Sequence, residues 1–245
     1  MTVINLHNFT LSSGRRICSG LTVLFLFLFS NISFAQIPAA TLGYAYEKTL
    51  TIDAVSVEGS ADFYDFPILF DTTDADLKTT GNGGNVYNAN GYDIIFISEA
   101  GYRLDHQVEY YDPATGKYTA WIKLDTLFSD KDTKIKIVYG NSQVTDDPSS
   151  ASTWSSDYAG VWHLSNTSDG TSNANNGTSK NGATATTTAK IGRAFSFNGG
   201  NQYIEIPDDA SLDLSTEVTL SAWIRPNLKE KWQCLNNLKN CSSPE

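Results

Sequence analysis

The residues of this chain whose types come closest to chemistry lie in the stretch Leu104–Tyr110, which holds Asp105, His106 and Glu109. His106 and Glu109 make an H-x-x-E spacing, which converges on a helix. Their surroundings read as a strand, where residues three apart point to opposite faces, so the pair cannot chelate one ion from that strand. Asp105 and Glu109 do share a strand face. Four steps of the strand rise set them roughly 13 Å apart, beyond the roughly 5–9.5 Å of a glycosidase carboxylate pair. The E-x-D-x-E pattern of concanavalin-type glucanases is missing, and Glu205 sits in YIEIP as a solvent-facing strand residue. His163, between Trp162 and Leu164, reads as a hydrogen-bonded structural histidine. There is no G-x-S-x-G elbow and no Gly-rich phosphate loop. No catalytic residue is therefore named.

What remains is binding chemistry. The loop Asp169–Gly177 (DGTSNANNG) groups Asp169, Asn173 and Asn176. Ca²⁺ takes oxygen ligands from carboxylates, amides and carbonyls, so this loop is the candidate metal site and Ca²⁺ the only cofactor considered. The same Asn and Gly residues serve equally well as turn formers. Asp208, Asp209 and Asp213 could add charge from the next loop, or are solvated turn residues. Aromatic rings offer platforms for sugars: Tyr110, Tyr111, Tyr118, Trp121, Trp154 and Trp162, though β proteins bury such rings routinely. Trp121, Trp162 and His106 are taken as the candidate ligand-binding set.

The elements that must position these residues begin after an export signal. Arg15 and Arg16 precede the apolar run Ile17–Phe29, 13 residues long, and Ser33-Phe34-Ala35 offers a cleavage site before Gln36. The run is shorter than the about 20 residues of a membrane span, so no transmembrane segment is expected after cleavage. Cys18 precedes the run and cannot be a lipoprotein cysteine. Residues 1–35 are assigned as signal peptide, which implies a secreted or cell-surface protein. The net charge of −10 becomes −12 once the two arginines are removed. An acidic chain with no basic cluster argues against nucleic acid. Only Cys234 and Cys241 then remain, both in the tail, so buried aliphatic and aromatic area must hold the core together.

Gly91–Tyr139 organises the rest, as four strands in succession. Tyr92–Ser98 carries four consecutive apolar residues, Ile94 to Ile97, as a strand covered on both faces would. Leu104–Tyr110 alternates, with Leu104, His106, Val108 and Tyr110 on one face. Asp112–Gly116 turns the chain, and Lys117–Leu124 and Lys134–Tyr139 follow. Ahead of these lie Tyr44–Asp53 and the apolar run Phe66–Phe70, where Pro67 demands an edge or a strand start. No segment sustains a helical period.

Asn141–Thr153 is polar and is the expected domain boundary. Trp154–Leu164 restarts the apolar pattern, Asn166–Thr188 reads mostly as loop, and Ala194–Phe197, Gln202–Ile206 and Val218–Ile224 read as strands. The character changes at Pro226. About 75 residues lie between the linker and the tail, short of the roughly 100 of a β-sandwich, so the second module is expected to be truncated or frame-shifted there. The expected fold is all-β: a jelly-roll-like β-sandwich over 36–148, a truncated concanavalin A-like/laminin-G-like β-sandwich over 149–226, and an irregular tail over 227–245.

Two resemblances add to this reading. YEKTLTID, FPILF, GYDIIFI, LDHQVEYYDPATGKYTAWIKL, DTKIKIVYGN and DYAGVWHL, in that order from Tyr44 to His163, resemble the family catalogued as domain of unknown function 2341. That resemblance implies an exported or surface protein of bacteria, often followed by a jelly-roll module, and implies no activity. VWHLSNTSDGTSNANNGT, KIGRAFSFNGGNQYIEIPDDASLDLS and EVTLSAWIRP resemble the first half of a laminin-G-like (concanavalin A-like) jelly roll. This second resemblance implies a sandwich that often binds carbohydrate and often holds Ca²⁺ in its loops. It stops at Pro226, and Ser172 stands where the DxSGN-type loop usually has Gly. The expected function is an exported, non-catalytic binding or adhesion protein whose partner is a polysaccharide or glycoconjugate. A polysaccharide hydrolase or lyase, and a structural spacer of a larger surface protein, remain as alternatives.

Overall fold

The computed structural model describes residues 15–16, 43–186, 189–215 and 217–225. The apolar part of the signal, Cys18, the cleavage site and the tail with Cys234 and Cys241 lie outside the described residues. Among the described residues no helix is long and apolar enough to cross a membrane. The architecture is all-β, as the period-two patterning requires.

Two antiparallel sheets make a sandwich. One runs in the order β1 (Arg15–Arg16), β2 (Tyr46–Ile52), β7 (Thr133–Tyr139), β4 (Ile94–Ser98). The other runs β3 (Phe63–Thr73), β6 (Lys117–Leu127), β5 (His106–Asp112). Pro67, which cannot donate to a ladder, lies in β3 at the edge of its sheet. The inward residues alternate along β2, β7, β4 and the paired stretch of β3 and β6. Leu50 and Ile52, Ile135, Ile137 and Tyr139, Ile94 and Phe96 meet Ile68 and Phe70, Tyr118, Ala120, Ile122 and Leu124 in one buried cluster. Phe70 meets Phe96 edge-on across the sheets, with ring centroids 5.4 Å apart.

The four-residue apolar run in β4 has the physical reason expected of it. Ile94 and Phe96 face the sandwich core, while Ile95 and Ile97 join Tyr44 and Val138 in a second cluster on the outer face. Lys48, on the inward face of β2, is almost fully buried. Its ammonium is paired with Asp74 and, at 2.9 Å, with Asp76. The pairing outweighs burial, which by itself would favour the neutral amine, and holds the Lys48 pKa above its ordinary value.

The β5–β6 hairpin turns at Asp112–Gly116. Asp112 accepts from the Ala114 amide at 2.9 Å and the Thr115 hydroxyl at 2.8 Å. Gly116, at φ +73°, is required there, because a Cβ would collide with the Asp74 carbonyl.

The polar stretch 141–153 does not act as a free linker. The Ser149 hydroxyl accepts from the Val108 amide at 3.1 Å, and the Ser150 amide donates to the His106 carbonyl at 2.9 Å. The stretch thus satisfies the open edge of β5. Arg103 donates to the Pro148 carbonyl and Asn88 to that of Val144. Polar composition marked a boundary in the sequence; here the same polar groups are spent on backbone hydrogen bonds to the sandwich. Among the described residues the stretch lies within a compact unit that runs to Asp213.

Beyond the sandwich, β8 (Thr178–Lys180) pairs with β11 (Tyr203–Glu205), and β9 (Thr184–Thr186) with β10 (Ala194–Ser196). The expected strands at Ala194–Phe197 and Gln202–Ile206 form, but pair with β9 and β8 rather than with each other. Residues 217–225, expected to hold a strand at Val218–Ile224, form no ladder; Val218, Leu220 and Ile224 are exposed.

Candidate binding site

The outer face of the β5–β6 pair carries the chemistry, and one β-bulge makes it. Val108 pairs with Ala120 and Tyr110 with Thr119, which leaves Glu109 as the extra residue. Strict alternation would put Tyr110 inward with His106 and Val108. The bulge instead gives the inward place to Tyr111, which packs against the core, and turns both Glu109 and Tyr110 outward. Glu109 lies on the same outer face as Gln107 and Trp121.

The segment after the polar stretch brings the rings of Trp154, Tyr158 and His163 to this face. Trp154 is buried, with its ring centroid 5.4 Å from Trp121, 5.1 Å from Tyr158 and 6.0 Å from His163. Beneath them runs a closed hydrogen-bond network. Trp154 Nε1 donates to Gln107 Oε1 at 2.7 Å, and Gln107 Nε2 donates to the Gly170 carbonyl. These two bonds orient the Gln107 amide, so its oxygen is an acceptor. His163 Nε2 lies 2.8 Å from that oxygen and is therefore a donor. The other ring nitrogen, Nδ1, is paired with Glu109 Oε2, which also accepts from Trp121 Nε1 at 3.1 Å. Glu109 is only 4% exposed and His163 16%. A carboxylate so enclosed would be costly unpaired; here Oε2 of Glu109 and both ring nitrogens of His163 have partners within the chain.

His106 occupies the opposite, inward face. It is fully buried, 5.2 Å edge-on from Phe96, with Nδ1 3.4 Å from the Leu104 carbonyl. Burial lowers its pKa to about 4. It thus has no surface to offer a ligand. Tyr118 is fully buried as well. Trp121 is half-buried and its indole N–H belongs to Glu109. Trp162 donates Nε1 to the Asn175 carbonyl at 2.9 Å and packs on Gly160. The residues taken from the sequence as a ligand-binding set, Trp121, Trp162 and His106, do not converge on one surface.

Asp169, Asn173 and Asn176 do come together, but to close their own loop. Asp169 Oδ1 accepts from the amides of Val161 and Thr171, and Oδ2 from the Thr171 hydroxyl and the Asn175 amide, at 2.8–2.9 Å. Burial opposes ionisation, but the bonds from Val161, Thr171 and Asn175 outweigh it and hold the carboxyl below its ordinary range. Asn176 Oδ1 accepts from the Asp169 amide, and Asn173 Nδ2 donates to the carbonyls of Tyr158 and Ala159. A cation at Asp169 would have to displace these donors. Among the described residues no three His, Cys, Asp or Glu side chains cluster as metal ligands.

An open cleft lies beside the network. A cleft of about 270 Å³ is lined by Tyr92, Tyr110, Tyr111, Asn90, Asp147 and Arg193. Its floor comes from β5 at the bulge, and Tyr111 is fixed there by donating its hydroxyl to the Leu77 carbonyl at 2.8 Å. Gly91 sits against the Tyr111 ring, where a Cβ would meet ring carbons at 2.9 Å. Asp147 is held by the Ser149 amide at 2.9 Å. Arg193 arrives from far along the chain, and its guanidinium stands 6.0 Å from the Tyr110 ring centroid. Tyr110 and Tyr111 were legible as ring platforms in sequence. Asp147 and Arg193 were not, because nothing local ties either to the hairpin.

No curated protein and no solved structure matches this chain. Residues 90–180 match the family model described as Domain of unknown function (DUF2341), so over the span from β4 to β8, which takes in both the bulged hairpin and the segment bearing His163 and Asp169, the chain is similar to that family.

Proposed function

We propose that the chain is an exported, non-catalytic binding protein that acts at or outside the cell surface, with carbohydrate as its ligand. The observation that carries this reading is the open cleft of three tyrosines edged by Asn90, Asp147 and Arg193. Aromatic faces beside a few polar groups are what a sugar ring needs: apolar C–H faces stack on the rings while hydroxyls meet carboxylate, amide and guanidinium. The strongest acid candidate, Glu109, is enclosed and committed to His163 and Trp121, which favours a structural role for it over acid–base work. Export is supported by the signal-like start of the sequence. The laminin-G-like resemblance of the second module, read as half of a jelly roll over 149–226, supports the same ligand class. The test is retardation of the chain in gels cast with soluble polysaccharides, with Tyr110→Ala beside it. Retardation that Tyr110→Ala abolishes without changing the unfolding midpoint supports the reading; absence of retardation by every polysaccharide, charged or neutral, removes it.

A further inference from the structure

We propose that the Tyr110 cleft selects an anionic carbohydrate, one bearing carboxylate or sulfate groups, and that Arg193 reads the charge. This rests on the cleft being the ligand site. Three observations point to Arg193. First, its position is built. Gly192 lies against Glu109 at φ +52°, where a Cβ would meet Cγ and Oε1 of Glu109 at 2.5 Å. Only a residue without a side chain lets the strand entering β10 approach the bulge so closely, and the next residue is thereby delivered over Tyr110. The same bulge that turns Tyr110 outward thus seats the loop that brings Arg193.

Second, Arg193 is uncommitted. Lys48, Lys117, Lys123, Lys136 and Lys180 are each paired with an Asp or Glu. Among the described residues no carboxylate lies within ion-pair distance of the exposed Arg193 guanidinium. Arg193 thus stands exposed at the cleft without a carboxylate partner, in a chain with 27 acids against 17 bases. Third, the chemistry fits. A guanidinium presents a planar fork that matches a carboxylate or sulfate bidentately, and the ring beneath it offers a platform for the sugar that bears the anion. Asp147 lines the same cleft, so the ligand must offer a hydroxyl to Asp147 and its anion to Arg193.

The full chain is titrated with polygalacturonate, with a sulfated galactan and with a neutral β-glucan. Arg193→Gln and a control, Lys131→Gln, are tested alongside; Lys131 is exposed and outside the cleft. The expected result is binding of at least one anionic polymer that weakens on the order of tenfold in Arg193→Gln. That binding stays unchanged in Lys131→Gln, and the two anionic polymers show which group is preferred. Equal binding by Arg193→Gln and the parent overturns the inference, as does equal loss in Lys131→Gln, which would mean general attraction to a polyanion. Binding of the neutral glucan alone overturns the charge selection but leaves the carbohydrate reading standing. Binding of none of the three overturns both.

Discussion

His163 and Glu109 form an enclosed pair across two segments 54 positions apart in sequence, and their ring-to-carboxylate contact is the one ion pair among the bonds that join residues 149–177 to the bulged strand. Glu109→Gln keeps the shape and removes the charge. The introduced amide could still accept from Trp121, but it brings no charge to the His163 ring, whose Nε2–H is already committed to Gln107. Breaking a buried pair on one side costs about 3–5 kcal/mol; His163 retains some solvent, so a loss of about 2–3 kcal/mol is expected. Urea denaturation of the variant against the parent measures it. A change within about 0.5 kcal/mol, the range of ordinary surface substitutions, would show that the pair does not fasten the two segments.

His106 makes stability depend on pH. Its pKa is about 4 in the fold against 6.5 when free, chiefly through burial. Between these values the unfolded chain binds a proton that the folded chain refuses, so stability rises with pH. The contribution is complete above pH 6.5 and lost as pH falls toward 4, by about 3 kcal/mol in all. His106→Leu removes the titration. The unfolding free energy of the parent minus that of the variant should therefore fall by about 3 kcal/mol from pH 6.5 to pH 4 and stay flat above. A difference constant over the whole range would mean that folding does not change the affinity of the imidazole for its proton.

Gly192→Ala places a methyl group against Glu109 and a Cβ in a left-handed conformation. The backbone term alone is about 1 kcal/mol. The atoms met belong to the Glu109 side chain rather than to the backbone of the sheet, so the cost to the sandwich should be small, while Arg193 shifts with its neighbour. Weaker carbohydrate binding with an unfolding midpoint near that of the parent is the expected outcome, read by gel retardation and thermal unfolding. Unaltered binding would show that the position of Arg193 does not depend on the glycine.

Asp169→Asn tests whether the loop is held by its own hydrogen bonds. An amide oxygen replaces only one carboxylate oxygen, so one of the donors from Val161, Thr171 and Asn175 loses its acceptor. A loss of about 1–3 kcal/mol follows, and chelator should leave the unfolding midpoint of the parent unchanged. A midpoint that falls in chelator and recovers with Ca²⁺ would mean that the loop does hold a cation.

Much of the sandwich could be read along the chain because strand patterning is local. Leu50 and Ile52, Ile94 to Ile97, Pro67 and the Asp112–Gly116 turn each announce their environment within a few residues. The same reasoning kept His106 and Glu109 on opposite faces, as the structure does. What the chain order could not convey was the bulge, since one extra residue at Glu109 changes which of Tyr110 and Tyr111 faces inward without altering the sequence pattern that suggested alternation. Nor could it convey that Asn141–Thr153 spends its polar groups on the edge of β5, because composition is the same whether a hydrogen bond goes to water or to a neighbouring strand. Sequence alone determined an acidic, all-β chain whose core is apolar and free of cysteine. Tertiary structure decided where Glu109, His163, Tyr110 and Arg193 meet, because their proximity depends on long-range packing and a single missing Cβ at Gly192, which no local pattern records.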